Sequence, residues 1–310
     1  MSRLILGLAL ASMVVLPGSA HAYFELTDTG ARTVALGPGA IGMVDDVSAY
    51  HWSPAALASL GRPEILLDVS KPYGVENLTE NALAAGARRW GTGWAIAWHR
   101  TAVADVYAED QFCAAAGRTL LTVADGSRID AGVTFRFGRA AFQPFDVPGL
   151  GAVDYGAVSK GSFDVGARWR TRWNMDFAWT SRDLLQPRYE FVLGSGGDRL
   201  PARQAVAGAF RWNRESTLGL SWTQAARGRG TVNAGLEIVF FDVFAIRSGL
   251  TNLTSAYEST NSPNNLQFSG GFGVFHRGYY VDAAAMTHHD LGATYRVTLR
   301  FQPGKPGGER

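Results

Sequence analysis

The feature that most restricts this chain is a period of two. Tyr295, Val297, Leu299 and Phe301 alternate with Thr294, Arg296, Thr298 and Arg300, so one face of the segment is apolar and the other carries arginines. Successive side chains of a β-strand point to opposite faces, which makes this a strand lying between two different solvents. The pattern recurs. Phe163, Val165, Ala167 and Trp169 oppose Asp164, Gly166, Arg168 and Arg170, and Trp173, Met175, Phe177 and Trp179 oppose Asn174, Asp176, Ala178 and Thr180. Ile129 to Phe137, Val232 to Phe240 and Leu266 to Val274 repeat it. About fourteen such segments can be placed, near 64–74, 80–90, 92–103, 109–119, 127–139, 161–171, 173–182, 203–213, 215–224, 230–240, 243–251, 265–275, 278–287 and 292–302. Most run to roughly 10 residues, the length that crosses a bilayer when tilted.

The connections separate a soluble sandwich from a membrane barrel. Very short turns (Gly91, Asn213-Arg214, Phe241-Asp242, Arg277-Gly278) alternate with longer polar or Gly/Pro-rich loops at 140–160, 183–202 and 252–264. Short turns at one end and long loops at the other are the habit of an outer-membrane barrel. The step Arg170-Thr171-Arg172 predicts a tight hairpin, and 120–126 interrupts the pattern by being longer than a turn should be. Trp169, Trp173, Trp212, Phe240, Tyr279 and Phe301 fall beside the short turns, and Trp98, Trp179 and Trp222 toward the opposite ends. Two such levels read as interfacial girdles. A soluble core packed with tryptophan is the competing reading, but the partner face carries charges that such a core rejects.

Composition agrees once it is sorted by face. Of 310 residues 46% are hydrophobic and 18% charged, and the mean hydropathy of −0.03 is what an apolar outside and a polar inside average to. No stretch beyond the leader approaches the roughly 20 apolar residues of a membrane-spanning helix. Basic and acidic residues nearly cancel, 29 against 27, which leaves no electrostatic footprint for nucleic acid. Residues 1–22 read as a cleavable signal peptide, with Arg3 ahead of an apolar run from Leu4 to Leu16 and Ala20-His21-Ala22 as the cleavage site. An uncleaved membrane anchor is the alternative, and the run is short for it.

With the apolar face outward, the lumen receives Asp68, Asp130, Arg136, Asp164, Arg168, Asp176, Arg211, Glu237, Arg247, Asp282 and Arg296, together with His99, Arg170 and Arg300. Both signs are present, which argues against a pore tuned to one charge. Glu237 and Arg247 face each other across the hairpin at Asp242 as a cross-strand pair. They can be read as a gate or substrate contact, or as part of a scaffold of ion pairs that fills the barrel; the second reading is preferred. Small residues are frequent on the same face: Gly93, Ala95, Ala97, Ala115, Gly132, Gly166, Gly219, Gly235, Gly249 and Gly271. They leave room for a segment of chain, and residues 23–60, which lack alternation, are the candidate.

That segment contains Gly30-Ala31-Arg32, then Gly37-Pro38-Gly39, Asp45-Asp46-Val47-Ser48-Ala49 and Ser53-Pro54-Ala55-Ala56-Leu57-Ala58. As an ordered set it resembles the amino terminus of the PorV/PorQ-type branch of the FadL-like outer-membrane proteins, which runs G-A-R, a Gly-rich turn, D-D-x-S-A and N-P-A-G-L-A. Gly235-Leu236-Glu237 with Ala245-Ile246-Arg247 is similar to that family's G-x-E and x-x-R strand pair. Ser53 stands where the family has Asn, Pro38 and Ala56 where it has Gly. Ser53 is placed to cap a short helix begun by Pro54. The resemblance implies a fourteen-stranded barrel plugged by its amino-terminal segment.

The expectation is therefore an all-β protein, a transmembrane up-and-down antiparallel β-barrel of about 14 strands. Its divisions are a signal peptide at 1–22, a plug with a short helix at 23–62, the barrel at 63–302 and a disordered tail at 303–310. The resemblance implies passive transport of small hydrophobic molecules across the bacterial outer membrane, or alternatively a PorV-like shuttle or docking partner for secreted proteins. Expected partners are outer-membrane lipids, a small hydrophobic ligand and a secreted protein. No catalytic residue, metal site or cofactor is expected: His288-His289-Asp290 lacks a third ligand, no G-x-S-x-G elbow occurs, and Cys113 sits among alanines as a packed thiol.

Overall fold

The computed structural model describes Phe24 and residues 28–147, 151–192, 197–226, 230–252, 266–288 and 291–303. The leader, His289-Asp290 and the tail after Pro303 lie outside the described residues.

Fourteen antiparallel strands close into a barrel. They are β1 (Glu64–Lys71), β2 (Leu78–Arg89), β3 (Thr92–Val103), β4 (Tyr107–Thr122), β5 (Arg128–Phe142), β6 (Ala157–Arg170), β7 (Met175–Arg182), β8 (Arg203–Arg211), β9 (Ser216–Ala225), β10 (Thr231–Phe240), β11 (Phe244–Asn252), β12 (Leu266–His276), β13 (Tyr279–His288) and β14 (Gly292–Phe301). Each pairs with its neighbours in sequence, and β1 meets β14 with Ile65 opposite Phe301 and Lys71 opposite Tyr295. An even number of strands brings both ends of the barrel to the short-turn side, which lies toward the periplasm in barrels of this type.

Strand placement follows the alternation closely, and the departures are local. The 120–126 irregularity disappears because β4 runs on to Thr122 with a register shift between Thr119 and Leu121, leaving a turn at 123–127. The hairpin expected at Arg170-Thr171-Arg172 is instead a four-residue turn at 171–174, in which Thr171 Oγ1 accepts from the Trp173 and Met175 N–H groups and Asn174 takes φ 59°. Trp173 leaves the strand without changing the parity of β7. Tight turns at Trp90-Gly91 and Arg277-Gly278 carry positive φ at both residues, the geometry that suits the right-handed strand twist. The long connections hold two small ribbons, Phe145–Val147 with Gly151–Val153 and Arg188–Tyr189 with Asp198–Arg199.

Between its rims the outer face is apolar; Ile96 is 67% exposed and Val232 64%. A continuous surface of this kind requires lipid rather than water around it. The inner face buries the charged set, and with it residues 28–62. This segment folds as α1 (Ala31–Ala35), a 3-10 helix Gly37–Gly42, α2 (Ala49–Trp52) and a second 3-10 helix Pro54–Ser59 before entering β1. Val47, Ala49, Ala55 and Leu57 are fully buried within it.

Candidate functional site

The lumenal segment is held by two glycine seats on different parts of the wall. On β3 to β6, Gly93, Gly117, Gly132 and Gly166 lie side by side in register. A Cβ on any of the first three would stand under 3.0 Å from the backbone of Pro54 to Ala58, and one on Gly166 would stand 3.2 Å from the Pro54 ring. Only hydrogen at these positions lets the second 3-10 helix press its backbone onto the sheet. On β9 to β12, Gly219, Gly235 and Gly249 are aligned, with Gly271 one step off. They receive the Gly39 carbonyl, the Leu36 carbonyl, the Leu36-Gly37 peptide and the Ala35 side chain respectively. Gly37 itself has φ +62°, so the bend between α1 and the first 3-10 helix needs glycine. Pro38 occupies the first turn of that helix, where its missing N–H costs nothing.

Side chains from the wall then satisfy the segment's exposed carbonyls. Ser269 Oγ donates to Ala35 O (3.0 Å), Ser221 Oγ to Pro38 O (2.8 Å), Arg168 Nη1 to Val44 O (2.8 Å) and Thr134 Oγ1 to Tyr50 O (2.8 Å). The Ala31 and Val47 N–H groups donate to Thr298 Oγ1 and Glu64 Oε2. Short helical turns inside a barrel leave many such groups unpaired, and these contacts remove most of the desolvation cost.

Charge adds a directed link. Arg32 donates through Nε and Nη2 to both oxygens of Glu237, at 2.9 Å each, and through Nη1 to Asp45 at 2.5 Å. Glu237 also receives Arg247 Nε at 2.6 Å, and Arg247 continues to Asp282 at 2.6 Å. Asp46 binds the Ser48 N–H and hydroxyl and lies 3.3 Å from Arg300, which reaches Glu64 at 3.5 Å. The G-A-R arginine and the G-x-E glutamate are thus partners, and the D-D-x-S turn closes on the last strand.

The lumenal charges expected from parity all lie in ion pairs: Asp68 with Arg296, Asp130 with Arg170 (3.1 Å), Arg136 with Asp164 (2.6 Å), and Asp176 with both Arg168 (2.5 Å) and Arg211 (2.8 Å). Arg211 is half-exposed at the rim and Arg170 partly exposed, while the others are buried. Gly30 precedes α1 with φ +89°, and Ala55 is fully buried. One expectation fails: Ser53 caps nothing, and its hydroxyl has no hydrogen-bond partner among the described residues. The helix after it is a tight 3-10 turn seated by its backbone on glycine, so the wall does the work assigned to the cap. Sequence reasoning missed Glu64 and Glu80, whose parity with Asp68 and Ala82 carried the signal. Glu80 is buried, 2.5 Å from Arg296 and 3.3 Å from His99.

Two concavities adjoin this interior. One is a groove of about 620 Å³ on the lipid-facing side of β11 to β14, floored by Gly270, Ala283 and Ala285, walled by Phe244, Ile246, Phe272 and Tyr295, and reaching Gly271 and Arg247. Just behind it, on the lumenal side, Gly271 touches Ala35 of α1. The other, about 370 Å³, lies among the long connections and is lined by Phe142, Tyr155, Tyr189, Phe191 and Asp198. The Phe24 ring packs 5.1 Å from Tyr189 beside it, and the Phe24 N–H donates to Glu109. Neither was apparent from alternation, because both arise where several strands or loops meet.

No family model matches the sequence, and no curated protein matches it. Among solved structures the chain is similar to the deltaS2S3 mutant of TodX, a monoaromatic hydrocarbon channel, with a TM-score of 0.59 and 11% identity over 89% of this chain and 98% of that one. The deltaS2 mutant of TodX is similar at a TM-score of 0.58 and 10% identity, with the same coverage. The likeness is one of fold: this chain is a closed antiparallel β-barrel of fourteen strands.

Proposed function

We propose that this barrel passively carries small hydrophobic molecules across the outer membrane, using the groove on β11 to β14 as the passage between lumen and bilayer. The observation that carries the reading is the contrast between two surfaces. The lumen is filled by residues 28–62 and lined by paired charges, which an apolar solute would have to desolvate. The groove is apolar, opens to lipid, and is separated from α1 by a single layer of backbone at Gly270-Gly271. TodX, similar in fold, is a channel for monoaromatic hydrocarbons, and the FadL-like resemblance of the amino-terminal motifs agrees with a solute of that class. Filling the groove tests it. Ala285→Trp is expected to abolish uptake of an aromatic hydrocarbon into barrel-loaded vesicles while heat-modifiable gel mobility stays unchanged; uptake at the wild-type rate would refute the route.

A second reading follows from the other concavity. A filled lumen together with an aromatic pocket among the external connections suits a PorV-like docking partner for secreted proteins. Native mass spectrometry of the barrel taken from its own membrane distinguishes them: a stoichiometric folded protein supports docking, a retained apolar small molecule supports transport.

A further inference from the structure

The short-turn end of the barrel is strongly basic in a way the overall charge hides. Arg88 and Arg89 end β2, Arg118 and Arg128 flank the next turn, and Arg172, Arg214 and Arg277 stand on three others; all are exposed, and none makes an ion pair among the described residues. The exposed acids of the same turns are Asp125, Glu215 and Asp242, and Asp125 is turned back to accept the Ser127 N–H at 2.9 Å. At the opposite end the signs are mixed, with Lys71, Lys160 and Arg188 beside Glu76, Asp105 and Asp154.

Two of these arginines point outward, toward lipid. Arg89 is paired with Thr92 and Thr92 with Arg118, so the three lie in one transverse row across β2, β3 and β4. They share the outward parity of Leu83, Trp94, Ile96 and Phe112. Two strand spacings put the arginine backbones about 10 Å apart. Trp90, 84% exposed, caps the row under Arg89, whose guanidinium sits 5.7 Å from its ring, and Trp94 bounds the row on the membrane side. The arginine-on-tryptophan contact recurs two short turns on, with Arg172 5.3 Å from the Trp173 ring.

We infer that Arg89, Thr92 and Arg118, with Trp90 and Trp94, form a seat for the headgroup of an anionic phospholipid in the periplasmic leaflet. A guanidinium presents a planar fork that matches a phosphate, a threonine hydroxyl between two forks supplies a further donor, and indole rings settle at headgroup depth. A lipid is favoured over a free anion because the row faces outward at the girdle rather than into the lumen.

The test uses the mature protein in neutral detergent, with phosphatidylglycerol, phosphatidylcholine and soluble glycerophosphate as probes and native mass spectrometry as readout. The wild type is expected to retain phosphatidylglycerol over phosphatidylcholine, and the Arg89→Gln/Arg118→Gln variant to lose about thirty-fold of that preference, as expected for two arginines near an anionic surface. Lys160→Gln/Arg188→Gln at the other end should change nothing. Equal retention of the two lipids by the wild type overturns the inference even if the rim variant fails to fold. So does an unchanged preference in a rim variant with normal heat-modifiable mobility. Displacement of the lipid by glycerophosphate at equal concentration assigns the seat to a free anion and also overturns it.

Discussion

The two glycine seats make the same backbone contact and secure it by different physics. At β3 to β6 the second 3-10 helix continues into an apolar cluster of Val44, Val47, Tyr50, Trp52 and Leu57 against Ala95, Ala97, Cys113 and Ala115. On the side of β8 to β13 the apolar contribution is smaller, Leu36, Ala40 and Met43 against Ala209 and Ala31, Val34 and Ala35 against Ala284, and the chain Arg32–Glu237–Arg247–Asp282 does the fastening. Apolar packing tolerates small shifts and gives way gradually, whereas a desolvated ion pair is held by geometry and lost all at once. The charge-fastened half is also the half behind the lipid-facing groove. On the proposed route, the charge-fastened stretch 31–42 is the part built to let go.

The largest effect should come from Arg247→Ala. It leaves Asp282 without its ion-pair partner in a buried site, while Glu237 keeps only Arg32, and should lower barrel stability by about 3–5 kcal/mol, read as the urea midpoint of the folded, fast-migrating band. A wild-type midpoint would mean that the chain of charges holds nothing. Next, Gly132→Val drives a side chain into the Pro54-Ala55 peptide and should cost about 3 kcal/mol, unseating the apolar half. Arg32→Ala sharpens the contrast, since Glu237 keeps Arg247 and Asp46 keeps Arg300. It should cost about 2 kcal/mol and raise hydrogen exchange over 31–42 while 54–59 stays protected. Equal loosening of both halves would show the seats to be one unit.

The smallest effect concerns pH. His51 is buried on α2; burial first, then the positive charges of Arg182 and Arg136, with His99 and Arg296 also acting, hold its pKa well below the ordinary 6.5, and Asp28 lies 4.0 Å away. A depressed folded pKa means that the neutral form is the one accommodated. Its contribution is complete above about pH 6.5 and declines as pH falls below that value. Protease protection of 28–62 should weaken modestly below pH 6.5, and His51→Gln should flatten the dependence; the same slope in the variant would remove His51 from the account.

Much of this was legible in the residues. The period of two placed the strands and their parity, because a wall between lipid and a polar interior leaves each position one choice. Lumenal glycines and charges followed from that parity, and Glu237 and Arg247 paired because hairpin register is local. What stayed hidden involves distant segments. Nothing in Arg32 names Glu237, 205 positions away, as its partner. The lipid-side groove combines small residues of two strands with aromatics of their neighbours. Ser53 has the chemistry of a cap and does not act as one, because the approach of the wall set the backbone of that turn.

By itself, then, the chain determined a fourteen-stranded barrel with an apolar outside, a charged inside and a spare segment to occupy it. These are consequences of alternation, which is written along a strand. Tertiary structure alone decided how that segment is seated, one half by apolar packing and the other by charge, and where the wall thins enough to matter. Those depend on which strands closure brings opposite the segment, a relation between residues far apart in the chain that no local pattern encodes.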